Sequence, residues 1–109
     1  MGMKEMTSLE HEESAEERLS RLLKERGVED PETKNLLDVW IQTEENRVEN
    51  ENTSLATIEL NIKRGRLYFN AGYVNEAYES FEAARLQAWN ENEEELYGKI
   101  MAEMDSLGI

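Results

Sequence analysis

Residues 58–91 read IELNIKRGRLYFNAGYVNEAYESFEAARLQAWNE. Apolar side chains recur three and four apart on both sides of Gly72, which is the period of an α-helix and not the alternation of a strand. The residues before Gly72 extend a helix predicted from about Ser54 to Ala71, with Leu55, Ile58, Ile62 and Phe69 on one stripe. Those after it give a second, predicted from about Val74 to Trp89. Gly72 supplies a left-handed residue, so the chain can reverse within a short turn. Gly65 and Ala77 are small enough to let two antiparallel helices approach closely where they cross, and Tyr68 and Phe81 fill the space on either side.

Working outward, the same period continues in both directions. Ser14 and Glu17 form a capping-box pair ahead of a helix over about residues 15–26, where Leu19, Leu22 and Leu23 make an apolar stripe and Gly27 ends it. Asp30-Pro31 is a strong helix start, a cap residue followed by proline at the first helical position. The helix that follows carries Leu36, Leu37, Trp40, Ile41 and Val48. Its end is the least marked boundary, because no Gly or Pro interrupts residues 32–64 and Leu37, Ile41, Glu44, Val48, Glu51, Leu55, Ile58 and Ile62 keep heptad steps. One helix over residues 32–71 is therefore the alternative to a polar turn at Asn50–Ser54 that carries a new cap. A last helix is predicted from Asn92, capping with Glu95, to Leu107-Gly108; its apolar face is Leu96, Ile100, Met104 and Leu107. Residues 1–13 are polar and aperiodic, and are expected to be a disordered acidic tail. The expected fold class is all-α: a single domain over residues 14–109, built as a short array of about five helices.

Gly65, Tyr68, Gly72, Ala77, Phe81 and Ala84 follow the spacing Gly-x2-Tyr-x3-Gly-x4-Ala-x3-Phe-x2-Ala. This stretch resembles one tetratricopeptide repeat, and its 34 residues are the length of that repeat. Asn61 and Arg64 depart from the family by standing where large apolar residues are usual, and Trp89 stands where proline usually closes the second helix. No second repeat precedes it at this period. After it, Tyr97, Gly98 and Met101 echo the next repeat's first helix, shifted by one residue, which would make the last helix a capping helix. One such hairpin cannot bury its own face, so other helices or a second copy of the chain must cover it. The resemblance implies a binding role, with Glu59, Ile62, Lys63, Arg66, Phe69 and Asn70 on or beside the groove that would hold a peptide or partner helix. Arg66 and Asn70 could there hold a carboxylate. The competing expectation is that Lys63, Arg64 and Arg66, the one basic patch, balance the protein's own acids in surface ion pairs.

Acids outnumber bases by 25 to 12, for a net charge of −13. That charge argues against nucleic-acid and anionic-membrane partners, which need a basic footprint. There is no cysteine, and the only histidine, His11, lies in the acidic tail. No metal-ligand spacing, phosphate-cradling loop or nucleophile elbow is present, so neither catalysis, metal nor cofactor is expected. Trp40 and Trp89 are expected in the core or as staples. No apolar run reaches the roughly 20 residues of a membrane helix, no signal-peptide pattern appears, and Met6 breaks the myristoylation pattern, so a cytoplasmic location is expected. The function expected is a non-catalytic interaction module, an adaptor or small chaperone. Two alternatives are an acidic inhibitor that mimics nucleic acid at a basic partner and an assembly protein that dimerises through its helices. Homo-oligomerisation would cover the apolar surface a lone hairpin leaves open.

Overall fold

A computed structural model describes residues 12–109, which form five α-helices and, among the described residues, no strand. They are α1 (Ala15–Arg26), α2 (Pro31–Glu51), α3 (Ser54–Asn70), α4 (Val74–Asn90) and α5 (Glu94–Leu107). Most of the expected disordered tail, with His11, lies outside the described residues; Glu12 and Glu13 precede α1 without helical structure.

The helix ends follow from side-chain capping. Ser14 Oγ accepts from the Glu17 N–H at 3.1 Å and Glu17 Oε1 accepts from the Ser14 N–H at 2.9 Å. This satisfies two backbone donors that the first turn of α1 leaves without partners. Asp30 Oδ2 accepts from the Thr33 N–H at 3.0 Å, with Pro31 opening α2. Between α2 and α3 the chain does break. Asn52 takes a left-handed conformation, φ 51°, and the Thr53 hydroxyl accepts from the Ala56 N–H at 3.1 Å. A single helix over residues 32–71 is thereby excluded. The start of α5 differs from expectation: Glu93 is its cap residue and makes no side-chain capping bond. Asn92 is left-handed instead, φ 60°, and occupies the place in the α4–α5 turn that Gly72, φ 88°, occupies between α3 and α4. In both turns an N–H reaches back five residues, Tyr73 to Tyr68 O at 2.8 Å and Glu93 to Ala88 O at 2.9 Å. Asparagine tolerates this conformation better than any other residue with a Cβ, which is why it serves here as a terminator and not as a cap.

The helix at the centre is α3, buried from two opposite sides. Ile58 and Ile62 join Phe81, Ala88, Ile100 and Met104 in a cluster shared with α4 and α5. Leu60, Leu67 and Ala71 join Leu19 and Leu23 of α1 and Trp40 of α2 in a second cluster. At about 100° per residue, Ile58 and Leu60 point to nearly opposite faces. The sequence stripe of Leu55, Ile58, Ile62 and Phe69 therefore describes only one of two apolar faces, and Leu55 is exposed. The crossing of α3 and α4 is as close as Gly65 and Ala77 imply. A Cβ placed on Gly65 would stand 2.7 Å from Cδ2 and Cε2 of Phe81, a ring with no exposure to solvent. Burial of a side chain such as Phe81 or Ile58 contributes about 1.5–3 kcal/mol each.

Candidate functional site

On the edge of α3 predicted to line a groove, Glu59, Arg66 and Asn70 are exposed and Ile62 is not. Ile62, expected to face solvent, is only 8% exposed and packs in the α3–α4–α5 cluster. The reason is its phase: Ile62 lies one turn from Gly65 on the side that meets Phe81. Arg66 donates from Nε and Nη2 to the two carboxylate oxygens of Glu103 on α5, at 2.7 and 2.8 Å. This bidentate bond raises the guanidinium pKa. Lys63 Nζ lies 3.1 Å from Glu44 Oε1, and Arg64 Nη2 lies 3.4 Å from Glu45 Oε2, both on α2. Glu59 is 4.0 Å from Arg47. Phe69 is half-buried and Asn70 exposed. The basic patch is thus engaged with acids of α2 and α5. Asn61 and Arg64, the polar departures from the repeat pattern, line a depression with Ile41 and Tyr68, next to the Glu45 pair.

Exposed large apolar side chains are spread along the array, Val28, Val39 and Leu55 among them, and α4 carries several. Ala77, Phe81, Ala84 and Ala88, spaced four, three and four apart, set the buried face of α4. Leu86, 48% exposed, falls on the opposite side, and Tyr78 and Trp89, 46% and 64% exposed, lie on its flank. Trp89 was expected in the core or as a staple; it lies one residue, or about 100°, past the buried face. Its ring packs against Tyr97 of α5 with centroids 5.2 Å apart and planes at 55°. Arg85 bridges the helices: it pairs with Glu82, donates from Nη1 to the Tyr97 hydroxyl at 3.1 Å, and places Cζ 5.7 Å from the centre of the Tyr97 ring. The Arg85 hydrogen bonds in turn hold the Glu82 carboxyl below its ordinary pKa. Trp89, Tyr97, Ala88, Asn92, Glu93 and Glu94 line a depression of about 320 Å³. Met101 continues the exposed surface one turn along α5 from Tyr97.

Trp40 behaves as expected and is buried between α1 and α2, its Nε1–H donating to Glu16 Oε2 at 3.0 Å. That bond holds the Glu16 carboxyl below its ordinary pKa. Beside it, Ala15, Leu19, Leu36 and Val39 line a second depression of about 280 Å³. Among the described residues no group of three or more His, Asp or Glu side chains is placed to hold a metal ion, and no helix is long and apolar enough to cross a membrane. Compared with protein-family models, curated proteins and solved structures, the chain matches none.

Proposed function

We propose that the protein is a non-catalytic interaction module, an adaptor of tetratricopeptide-like hairpin type that holds a peptide or amphipathic helix. Its contact surface in this proposal is the α4–α5 face and not the α3 edge. The observation that carries it is the exposed pair Leu86 and Trp89, one turn apart on α4, with Tyr97 packed against Trp89 and Met101 one turn beyond it on α5. Apolar side chains scattered singly on a surface need no explanation, but an adjacent group that includes an exposed tryptophan is what an interaction site presents. Tryptophan and tyrosine are the residues that carry most binding energy at interfaces. On the α3 edge Ile62 is buried, Phe69 is half-buried and the cations are paired.

The test is capture from a lysate of the source cells by the immobilised full-length chain. A Trp89→Ala/Leu86→Glu double variant is expected to retain at least about tenfold less partner than wild type, the equivalent of roughly 1.4 kcal/mol. Arg66→Gln should retain it fully. Loss of capture in Arg66→Gln with no loss in the double variant would return the site to the α3 edge. Capture that is abolished by salt yet indifferent to both variants would favour the acidic mimic instead.

A further inference from the structure

We propose that the depression beside Trp89 receives an arginine or lysine side chain from a basic amphipathic segment of the partner. This rests on the α4–α5 face being the contact surface, and it names the chemistry that face selects. The floor of the depression is the Trp89–Tyr97 pair, and its rim carries Glu93 and Glu94. Both carboxylates are exposed, Glu91 and Glu95 flank them, and no basic side chain lines the depression. Lys99, the nearest base along α5, is paired with Glu95 at 3.2 Å.

The protein already shows what this aromatic pair accepts. Arg85 sits over the Tyr97 ring, a cation held by the ring's negative face and by the adjacent Glu82 carboxylate. The Trp89 ring, larger and more exposed, has carboxylates at its side and no cation of its own on it. A long cationic side chain fits both features at once, because its stem covers the indole while its head reaches Glu93 or Glu94. A carboxylate placed there would face two like charges. A second copy of the chain would bring its own acidic rim against this one, in a protein of net charge −13. Charge complementarity therefore selects a basic partner segment, with apolar residues left to cover Leu86 and Tyr78.

The two tryptophans make the test internal to the protein. Trp89 is exposed, whereas the Trp40 indole N–H is buried and bonded to Glu16. Their indole N–H resonances are followed while the full-length chain is titrated with a synthetic amphipathic helix that has a leucine ridge flanked by arginines. A matched helix carries glutamates in place of the arginines. The arginine helix is expected to shift Trp89 saturably and leave Trp40 in place, and the glutamate helix to shift neither. Glu93→Gln/Glu94→Gln should weaken the arginine helix by about tenfold, with an unmoved Trp40 resonance reporting an intact fold. Equal response to the two helices would overturn the cation site, as would a Trp89 resonance that ignores the arginine helix. So would one that moves when the protein alone is concentrated, which would make the occupant a second copy. If capture still depends on Trp89 and Leu86 while the two helices behave alike, the contact face stands and only its charge selection fails.

Discussion

Alanine at Gly65 and alanine at Gly98 are one chemical change at two helical sites, and the structure gives the two sites different outcomes. Within a helix, Gly→Ala gains about 1 kcal/mol of backbone propensity wherever the new methyl finds room. At Gly98 on α5 nothing lies within 4 Å of the new Cβ, so that gain stands. At Gly65 the Cβ would meet Phe81 Cδ2 and Cε2 at 2.7 Å and Cγ at 3.0 Å, far inside normal contact. Phe81 has no exposed surface and is enclosed by Ile58, Ile62, Ile100 and Met104, so its ring has nowhere to swing. Overpacking of this kind destabilises by about 1–3 kcal/mol. The propensity term is common to both sites and cancels in their difference. Gly98→Ala should thus unfold about 1–3 kcal/mol later than Gly65→Ala, a gap of roughly 4–24 °C in melting temperature for a domain of this size. Gly98→Ala should itself melt slightly above wild type. Thermal and urea unfolding followed by far-ultraviolet circular dichroism reads both. The close α3–α4 crossing would be refuted if Gly65→Ala melts together with Gly98→Ala, because the clash with Phe81 would then not exist.

Thr53→Ala removes the hydroxyl that accepts from the Ala56 N–H and is expected to destabilise by about 1 kcal/mol, with Thr53→Ser retaining most of it; equal melting of the alanine variant and wild type would show that the cap does not stabilise the α2–α3 break. The Glu16 carboxylate is held below its ordinary value of 4.5, first by the hydrogen bond from Trp40 Nε1–H. A depressed acid stabilises the fold above its unfolded pKa, and that contribution disappears as pH falls through the folded value. The Trp40 indole N–H resonance should therefore move with a midpoint below 4.5, and Glu16→Gln should abolish that step. A Trp40 midpoint at or above 4.5 would contradict the bond.

The helices were legible because each end carries its own chemistry. Ser14 with Glu17, Asp30 with Pro31, and Gly72 are local signals, and local signals survive folding unchanged. The break at Asn52-Thr53 was legible for the same reason, although the heptad steps of Leu37, Ile41, Val48, Leu55 and Ile58 continue across it. Asn92 misled because asparagine serves two opposite ends, capping a helix start by its side chain or ending one by its backbone, and the choice rests on neighbours. Trp89 lies outside the core but packs across to Tyr97 of α5, the staple of the two expected roles. The series Ala77, Phe81, Ala84 and Ala88 fixes the buried face of α4, and Trp89 lies off it. Ile62 could not be placed from its own stripe, because α3 has two buried faces and a single apolar period does not say that both are covered.

The bases of α3 are engaged for a reason of charge. A basic patch in a chain with 25 acids and 12 bases stands out by contrast and so looks free for a ligand. The same excess means that any base on an inner helix is surrounded by acids on its neighbours. Lys63 and Arg64 meet Glu44 and Glu45 of α2, and Arg66 meets Glu103 of α5. The exposed Arg66–Glu103 pair adds little stability, about 0–1 kcal/mol, whereas Glu44, the partner of Lys63, is itself buried. Bases used in this way leave a surplus of acids, and part of it lies in Glu91, Glu93 and Glu94, around the α4–α5 turn. Trp89 is exposed at that same place. On the proposed reading, an acidic rim on an aromatic floor would repel another copy of the chain and attract a cation, while the bases of α3 are engaged by the protein's own acids.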